Sequence, residues 1–461
     1  RRGDIKRVNG KGESMTFENK GKENNGATYG RRSDWQNLYT IAKKYYEALL
    51  ADPGNAQFHL TDPRGASDKS GRTFNNLYQY FFEQMHMDDA IYADESIYEY
   101  PMQQGGGNDG RPYSFGRPSS GGSKAAYPCK SYGQGRINPA YFYGIFDPND
   151  MRRDVSITMT GSNGKGVEKL IPFVPNSKAE GGGLTLNKWD ENRQANPWVA
   201  AQRKSGINGP YMRMSEVYLG YAEVCAALGD VVTGKQYLKT VRERSFPQGL
   251  ANTDAFIASF GNDLVRAIIE ERGFEYAGEG DRRWTLIRSG YLPEDIKRIK
   301  DMTKAMMDGL ATKGYYEFEN GNIISAYIWT KLVDAKTIYG HRLTAQCPTD
   351  KVNDPVLYPG WRGQKDNWEE MGLNYGSSTP ATNLAIKGLF EIVSEEEAAS
   401  LESQGYTKVN WGIDLVDNRD EYDKYLFWDY DYVSAPIYLW PFTPNVMAAG
   451  GFTNGYGFKQ E

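Results

Sequence analysis

The stretch GPYMRMSEVYLGYAEVCAALGD, residues 209 to 230, runs directly into VVTGKQYLKTVRERS, residues 231 to 245. In the first, Met214, Val217, Tyr218, Tyr221, Ala222, Cys225 and Leu228 fall on one stripe at helical spacing, and Gly229-Asp230 supply a turn. The second segment returns as a partner helix. Gly220, Ala222 and Ala226 carry little or no side chain, which predicts a close approach of the two helices, as in helix-turn-helix repeats of the tetratricopeptide kind. Fewer than three such pairs seldom stand alone, so the pair reads as part of a scaffold. Upstream, DWQNLYTIAKKYYEALLADPGN, residues 34 to 55, places Leu38, Ile41, Ala42, Tyr45, Ala48 and Leu49 at helical spacing and stops at Asp52-Pro53-Gly54.

Downstream, IIEERGFEYAGEGDRRWTLIRSG, residues 268 to 290, crowds charges among apolar residues. A helix from about Asn262 to Tyr276 takes Leu264, Val265, Ile268 and Ile269 as its apolar face and turns Arg272 towards the core. A buried guanidinium must be paired, and Glu271, Glu275, Glu279, Arg282 and Arg283 stand in the same or the next turn, with Trp284 to cover them. Glu271 and Glu275, four residues apart, have β-carbons about 6 Å apart, near the spacing of a retaining glycosidase pair. Both would leave one helix in parallel, beside arginines that depress a carboxyl pKa, whereas a general acid needs a raised one. The stretch therefore reads as a structural brace, ahead of an anion site and of a catalytic pair.

Composition narrows the functional classes. The 461 residues carry 54 basic and 59 acidic side chains for a net charge of -5, which does not indicate the positive field of a nucleic-acid binder. No apolar run approaches the roughly 20 residues of a membrane-spanning helix. The opening RRGDIKRVNGKGES lacks a starting Met and an apolar signal stretch, so a processed or partial chain is expected. Three cysteines (Cys129, Cys225, Cys347) and three histidines (His59, His86, His341) are scattered without metal-ligand spacing, and no metal or cofactor is expected. Aromatic residues make up 13% of the chain, with 33 Tyr and 10 Trp beside 51 Gly, a composition suited to stacking on flat faces from loops.

Along the chain, residues 1–33 read as an extended lead-in and 34–461 as one domain. Within it fall a helical part (34–100), a loop-rich ligand lobe (101–209), a helical-pair core (210–310), a hairpin with an aromatic loop (311–380) and a C-terminal part (381–461). Asn320-Gly321 between apolar arms predicts the hairpin. Ser394 with Glu397 predicts a capping box at the start of a helix over 394–403.

These motifs resemble the SusD/RagB family of outer-membrane nutrient-binding lipoproteins. The resemblance rests on Arg213, Glu216, Tyr218, Leu219, Tyr221, Ala222 and Glu223, then Arg242 and Arg244, then Glu271, Arg272, Glu275, Glu279, Gly280 and Arg282. FDPNDMRRD (146–154) is similar to the family's Asp-x-Arg-Arg segment and PIYLWPFTPNVM (436–447) to its closing segment. The family's lipidated cysteine and first helices have no counterpart before Arg1, and its usual C-terminal ending is replaced by GFTNGYGFKQE, so a fragment of the mature protein is expected.

The resemblance implies a mainly α fold, with tetratricopeptide-like pairs, a loop-rich lobe and small β elements. It further implies a lipid-anchored lid on a SusC-like TonB-dependent transporter at the cell surface. Members capture oligosaccharides, in a few cases peptides, without chemistry; their shared charged motif is structural. A carbohydrate-active hydrolase and a tetratricopeptide adaptor for proteins are the competing readings.

Sugar rings stack their C–H faces on aromatics and need planar polar partners for their hydroxyls. Tyr113, Phe115, Tyr127 and Tyr132 with Asn108, Asp109, Arg111 and Arg136 offer both, in a region that the resemblance associates with glycan sites. Trp189 and Trp198, on an expected surface loop, and Trp361 and Trp368 are further candidates. Tyr141, Tyr143 and Phe146 match a family helix and read as core.

Overall fold

The computed structural model describes residues 7–8, 14–15, 34–54, 56, 66–67, 73–74, 78, 95–107, 110–120, 130–150, 152–162, 168–174, 182–189, 202–246, 249–334, 382–426 and 442–451. In chain order the elements that matter here are α1 (Trp35–Ala51), β1 (Ser96–Tyr100), α2 (Gly110–Phe115), β2 (Gly209–Arg213), α3 (Met214–Ala227), α4 (Val231–Arg244), α5 (Leu264–Glu275), α6 (Asp281–Ser289) and α7 (Leu292–Lys313). Then come β3 (Tyr315–Glu317), β4 (Ile323–Ser325), β5 (Tyr327–Asp334), β6 (Thr382–Lys387), α8 (Glu395–Ser403) and β7 (Thr407–Asn410). The fold is mainly helical, with stacked tetratricopeptide-like pairs and small sheets.

The pair α3 and α4 forms as expected, with one correction. Residues 209 to 213 are not the first turn of α3 but strand β2, antiparallel to β1. Pro210 disfavours helical backbone at Gly209 and cannot donate within a ladder's centre, while β1 offers an edge. The Met214 amide donates to Glu95 O (2.7 Å), so the strand's bonding runs straight into the helix. At the turn, Asp230 caps α4 by accepting from the Thr233 amide (3.2 Å) and also holds Lys43 of α1 (3.2 Å).

The small residues of α3 divide between two neighbours. A β-carbon at Gly234 of α4 would sit 3.0 Å from Ala222 O and 3.2 Å from Ala226 N, so Ala222 and Ala226 lie where α4 approaches. Gly220 faces the other way and makes room for Tyr46 of α1.

Helix α5 is the hub. Its N-cap Asp263 accepts from the Arg266 amide (3.1 Å), and all twelve of its residues are buried, so it has no solvent face. Leu264, Ala267 and Ile268 pack with Val217, Leu219 and Ala222 of α3 and Leu238 and Val241 of α4. Phe274 enters a second core with Phe142, Tyr143, Phe146, Met306 and Trp411. Tyr143 and Phe146 are fully buried there, and Tyr141 Oη donates to Gly273 O (2.9 Å).

The hairpin is β3–β4, with Glu317 opposite Ile323 and Gly321 at φ 85°. Asn320 does more than turn the chain: its amide donates to Tyr143 O and Phe146 O, both at 2.8 Å. Ser394 and Glu397 form the reciprocal capping box at α8. The stretch expected as loop before residue 136 contains α2 and two short strands, 119–120 and 130–131, in a four-stranded sheet with 160–162 and 168–170.

Ion-pair core and candidate ligand surface

The charged stretch is consumed by a buried network. Glu275 on α5 receives Arg213 from the end of β2, Arg244 from α4 (2.5 Å) and Arg152 (3.2 Å). Glu271, one turn earlier, faces Arg152 (2.7 Å) and Arg242 (3.0 Å). Glu279 takes Arg213 (2.9 Å) and the fully buried Lys188 (2.6 Å). Burial alone would raise the Glu275 carboxyl, but the charges of Arg244, Arg213 and Arg152 outweigh it and hold the group well below the usual carboxylate range. This pair offers no general acid, since both carboxylates are occupied by arginines.

Arg272 departs from the expectation. Its partners are Glu216 on α3 (2.5 Å) and Asp281 at the start of α6 (2.7 Å), not the glutamates of its own helix. Arg282 reaches Glu270 (2.7 Å) and Asp295 (2.6 Å). Trp284, expected as the cover of the network, is 58% exposed. Glu95 and Glu270, absent from the sequence reading, are central: Glu95 holds Arg213 (3.2 Å) and Arg244 (2.5 Å), and Glu270 holds Arg282, Arg298 (2.8 Å) and Arg266 (3.0 Å). Glu270 was visible as a polar residue between Ile269 and Glu271 on a helix with too many charges for one solvent face; Glu95 carried no signal.

The sequence-predicted ligand residues separate. Tyr113 is buried, set edge-on to Tyr132 (5.0 Å between centroids) and beneath the Arg203 guanidinium (4.5 Å). Tyr132 is half-buried with Lys130 over its ring (5.1 Å), whereas Phe115 and Arg111 are exposed. Arg136 is half-buried, its pKa lowered by that burial, and pairs backbone with Thr185. Trp189 is corrected: at 2% exposure it packs with Tyr78, Val155, Leu186 and Ile207, because the strand at 185–186 pairs with 157–158 and carries the next residues inward. Asn108, Asp109, Tyr127, Trp198, Trp361 and Trp368 lie outside the described residues.

A surface that sequence reasoning missed lies on the ribbon of β1 and β2. Tyr98, Tyr100 and Tyr211 are 57%, 61% and 74% exposed. Tyr98 and Tyr100 share a face by the two-residue period of a strand. The register passes from Pro210 opposite Glu99 to Met212 opposite Tyr98, which leaves Tyr211 as a bulged residue, and the bulge turns its ring edge-on to Tyr98 at 5.8 Å. Asn208 fastens the ribbon's end, donating to Glu99 (2.9 Å) and accepting from the Met102 amide (2.7 Å). Gly209, opposite Tyr100, lies against the Arg111 guanidinium, which ties α2 to the ribbon. The alternation in SIYEY, residues 96 to 100, was the available signal.

Among the described residues no helix is long and apolar enough to cross a membrane, and no group of His, Cys, Asp and Glu could hold a metal ion. No curated protein matches the chain. Among solved structures, the chain is similar to a SusD homolog from Bacteroides thetaiotaomicron, at 17% identity over 59% of this chain and 56% of that one, with a TM-score of 0.39. It is also similar to surface glycan-binding protein A from Bacteroides thetaiotaomicron in complex with laminarihexaose (18% identity, 57% and 52% covered, TM-score 0.38) and to NanU from B. fragilis (18%, 57% and 52%, 0.36). The chain thus spans about half the length of the structures it matches. The model of the SusD family matches residues 57–441, most of the sequence, and the chain belongs to the SusD family.

Proposed function

We propose that this protein captures glycans at the cell surface without transforming them and passes them to a SusC-like TonB-dependent transporter, on which it sits as a lipid-anchored lid. Membership of the family supports the general reading, and the observation that carries it is the tyrosine ribbon. Three exposed phenol rings on one short ribbon form an apolar surface that a monomer would otherwise hide, and each ends in a hydroxyl that donates and accepts. Such rings suit the C–H faces of pyranoses, with Arg111 beside them for hydroxyl groups. Phe115, one turn along α2 from Arg111, and Tyr132 extend the candidate surface.

Affinity electrophoresis against a polysaccharide panel tests the reading. Retention without released product is expected, and alanine at Tyr98, Tyr100 or Tyr211 should weaken it by about 1 to 2 kcal/mol each with an unchanged melting temperature. Product would favour a hydrolase, and no retention of any glycan an adaptor or a peptide binder. For the partner, pull-down from solubilised outer membranes should recover a TonB-dependent barrel; recovery of the protein alone would count against the lid.

A further inference from the structure

We propose that a pocket between α1 and α3, separate from the tyrosine ribbon, binds a small zwitterion: an α-amino acid with an apolar side chain. The cavity is about 330 Å³ and is lined from α1 and α3 and by Arg272 and Arg288. Glu216, Gly220 and Glu223 share the α3 face that looks into it, at the four- and three-residue spacing of one helical stripe. Over Gly220, between the two glutamates, the Tyr46 hydroxyl takes the place a β-carbon would occupy and adds a polar group to the lining.

Two ion pairs stand in this one cavity. Arg272 is bound to Glu216 (2.5 Å), and Arg288 forks onto both oxygens of Glu223 (2.5 and 2.7 Å). The inner members, Arg272 and Glu223, are 3% and 5% exposed at their side chains, while Glu216 and Arg288 keep 32% and 42%. Each buried charge is thus neutralised from within the fold, and the two partly exposed groups that line the cavity are one carboxylate and one guanidinium.

A lone anion or cation would gain from one open group and be repelled by the other. A ligand carrying both charges meets both, its carboxylate at Arg288 and its ammonium at Glu216, through charge-assisted hydrogen bonds. Leu38 and Ala42 on α1 and Val224 on α3 line the rest of the cavity and suit an aliphatic side chain.

Calorimetric titration of the whole chain with leucine, N-acetylleucine and leucinamide tests the proposal. Leucine should bind saturably, and each blocked form should bind at least about tenfold more weakly, since each loses one charge-assisted hydrogen bond. Ala42→Trp, and Leu38→Trp as a second filler on the same helix, should abolish leucine binding while melting temperature and glycan retention stay unchanged. The proposal is overturned if leucine gives no saturable heat at millimolar concentration, if blocked and free forms bind equally, or if the filled variants bind as before. Glycan retention is read separately in the same variants, so failure here leaves the ribbon untouched and failure of the ribbon leaves this pocket untouched.

Discussion

Arg272 ends 2.5 Å from Glu216 Oε2, so the guanidinium of α5 is neutralised by α3 and not by its own helix. The pair therefore holds two helices in register. Arg272→Ala leaves Glu216 and Asp281 without their cation and should cost about 3 to 5 kcal/mol, the scale for breaking a buried pair. Glu216→Ala should cost less, because that side chain is 32% exposed and Asp281 still serves Arg272. Urea unfolding of both variants measures the difference; equal, near-zero losses would refute the brace.

Glu270 gives an acid-side signature. Burial acts to raise its pKa, but Arg282, Arg298 and Arg266 prevail and lower it from 4.5 to about 2. A depressed folded-state pKa contributes stability above the unfolded value, and that contribution is lost as pH falls from about 4.5 through about 2. The group should supply about 3 kcal/mol at neutral pH. Unfolding free energies of wild type and Glu270→Gln, measured from pH 6 downward, should converge across that window.

Lys188 gives the opposite signature on the alkaline side. Burial lowers its pKa from 10.5 to about 8 against the pull of Glu279. Here the folded state disfavours the charged form, so the unfolded chain binds more protons between those values and stability rises with pH from about 8 to about 10.5. Relative to Lys188→Met, wild type should gain stability over that interval. A constant difference between the two would mean that the lysine keeps its ordinary pKa.

Trp189 and Tyr211 should separate cleanly as substitutions. Trp189, 2% exposed, sits in a core, and its alanine variant should lose about 3 to 5 kcal/mol of stability. Tyr211, 74% exposed, should lose ligand retention and almost no stability. Melting curves paired with glycan electrophoresis read both; a stable Trp189→Ala that no longer retains glycan would reverse the assignment.

Gly116 tests how α2 is seated. A β-carbon there would meet Pro112 O and Trp189 O, both backbone atoms that cannot swing aside. Gly116→Ala should therefore destabilise by about 1 to 3 kcal/mol and shift Arg111 and Phe115. Unchanged melting would show that the contact relaxes without cost.

Sequence alone determined what depends on near neighbours. Helices α1, α3 and α4, the Asp230 turn, the Asn320-Gly321 hairpin and the Ser394–Glu397 capping box rest on periodicity and on bonds spanning a few residues, and all are present in the fold. The face of α1 is corrected: Tyr46, Leu49 and Leu50 pack on the core, while Leu38, Ile41 and Tyr45 of the expected stripe are exposed, because the neighbouring α3 and not the helix's own pattern selects the side that is covered. Sequence also required that Arg272 be paired, because a buried guanidinium cannot go unpaired at any acceptable cost.

Only the tertiary structure decided with whom. Glu216 meets Arg272, and Glu95 meets Arg213 and Arg244, across helices and strands whose relative placement no local pattern encodes. The same holds for exposure. Trp189 sits in polar sequence read as a surface loop and Tyr211 at the start of a segment read as helix, yet a pairing between strands 157–158 and 185–186 draws one into a core, while a bulge in β2 turns the other out to solvent. Burial of a side chain is a property of what packs over it, and that is supplied by residues far away in the chain.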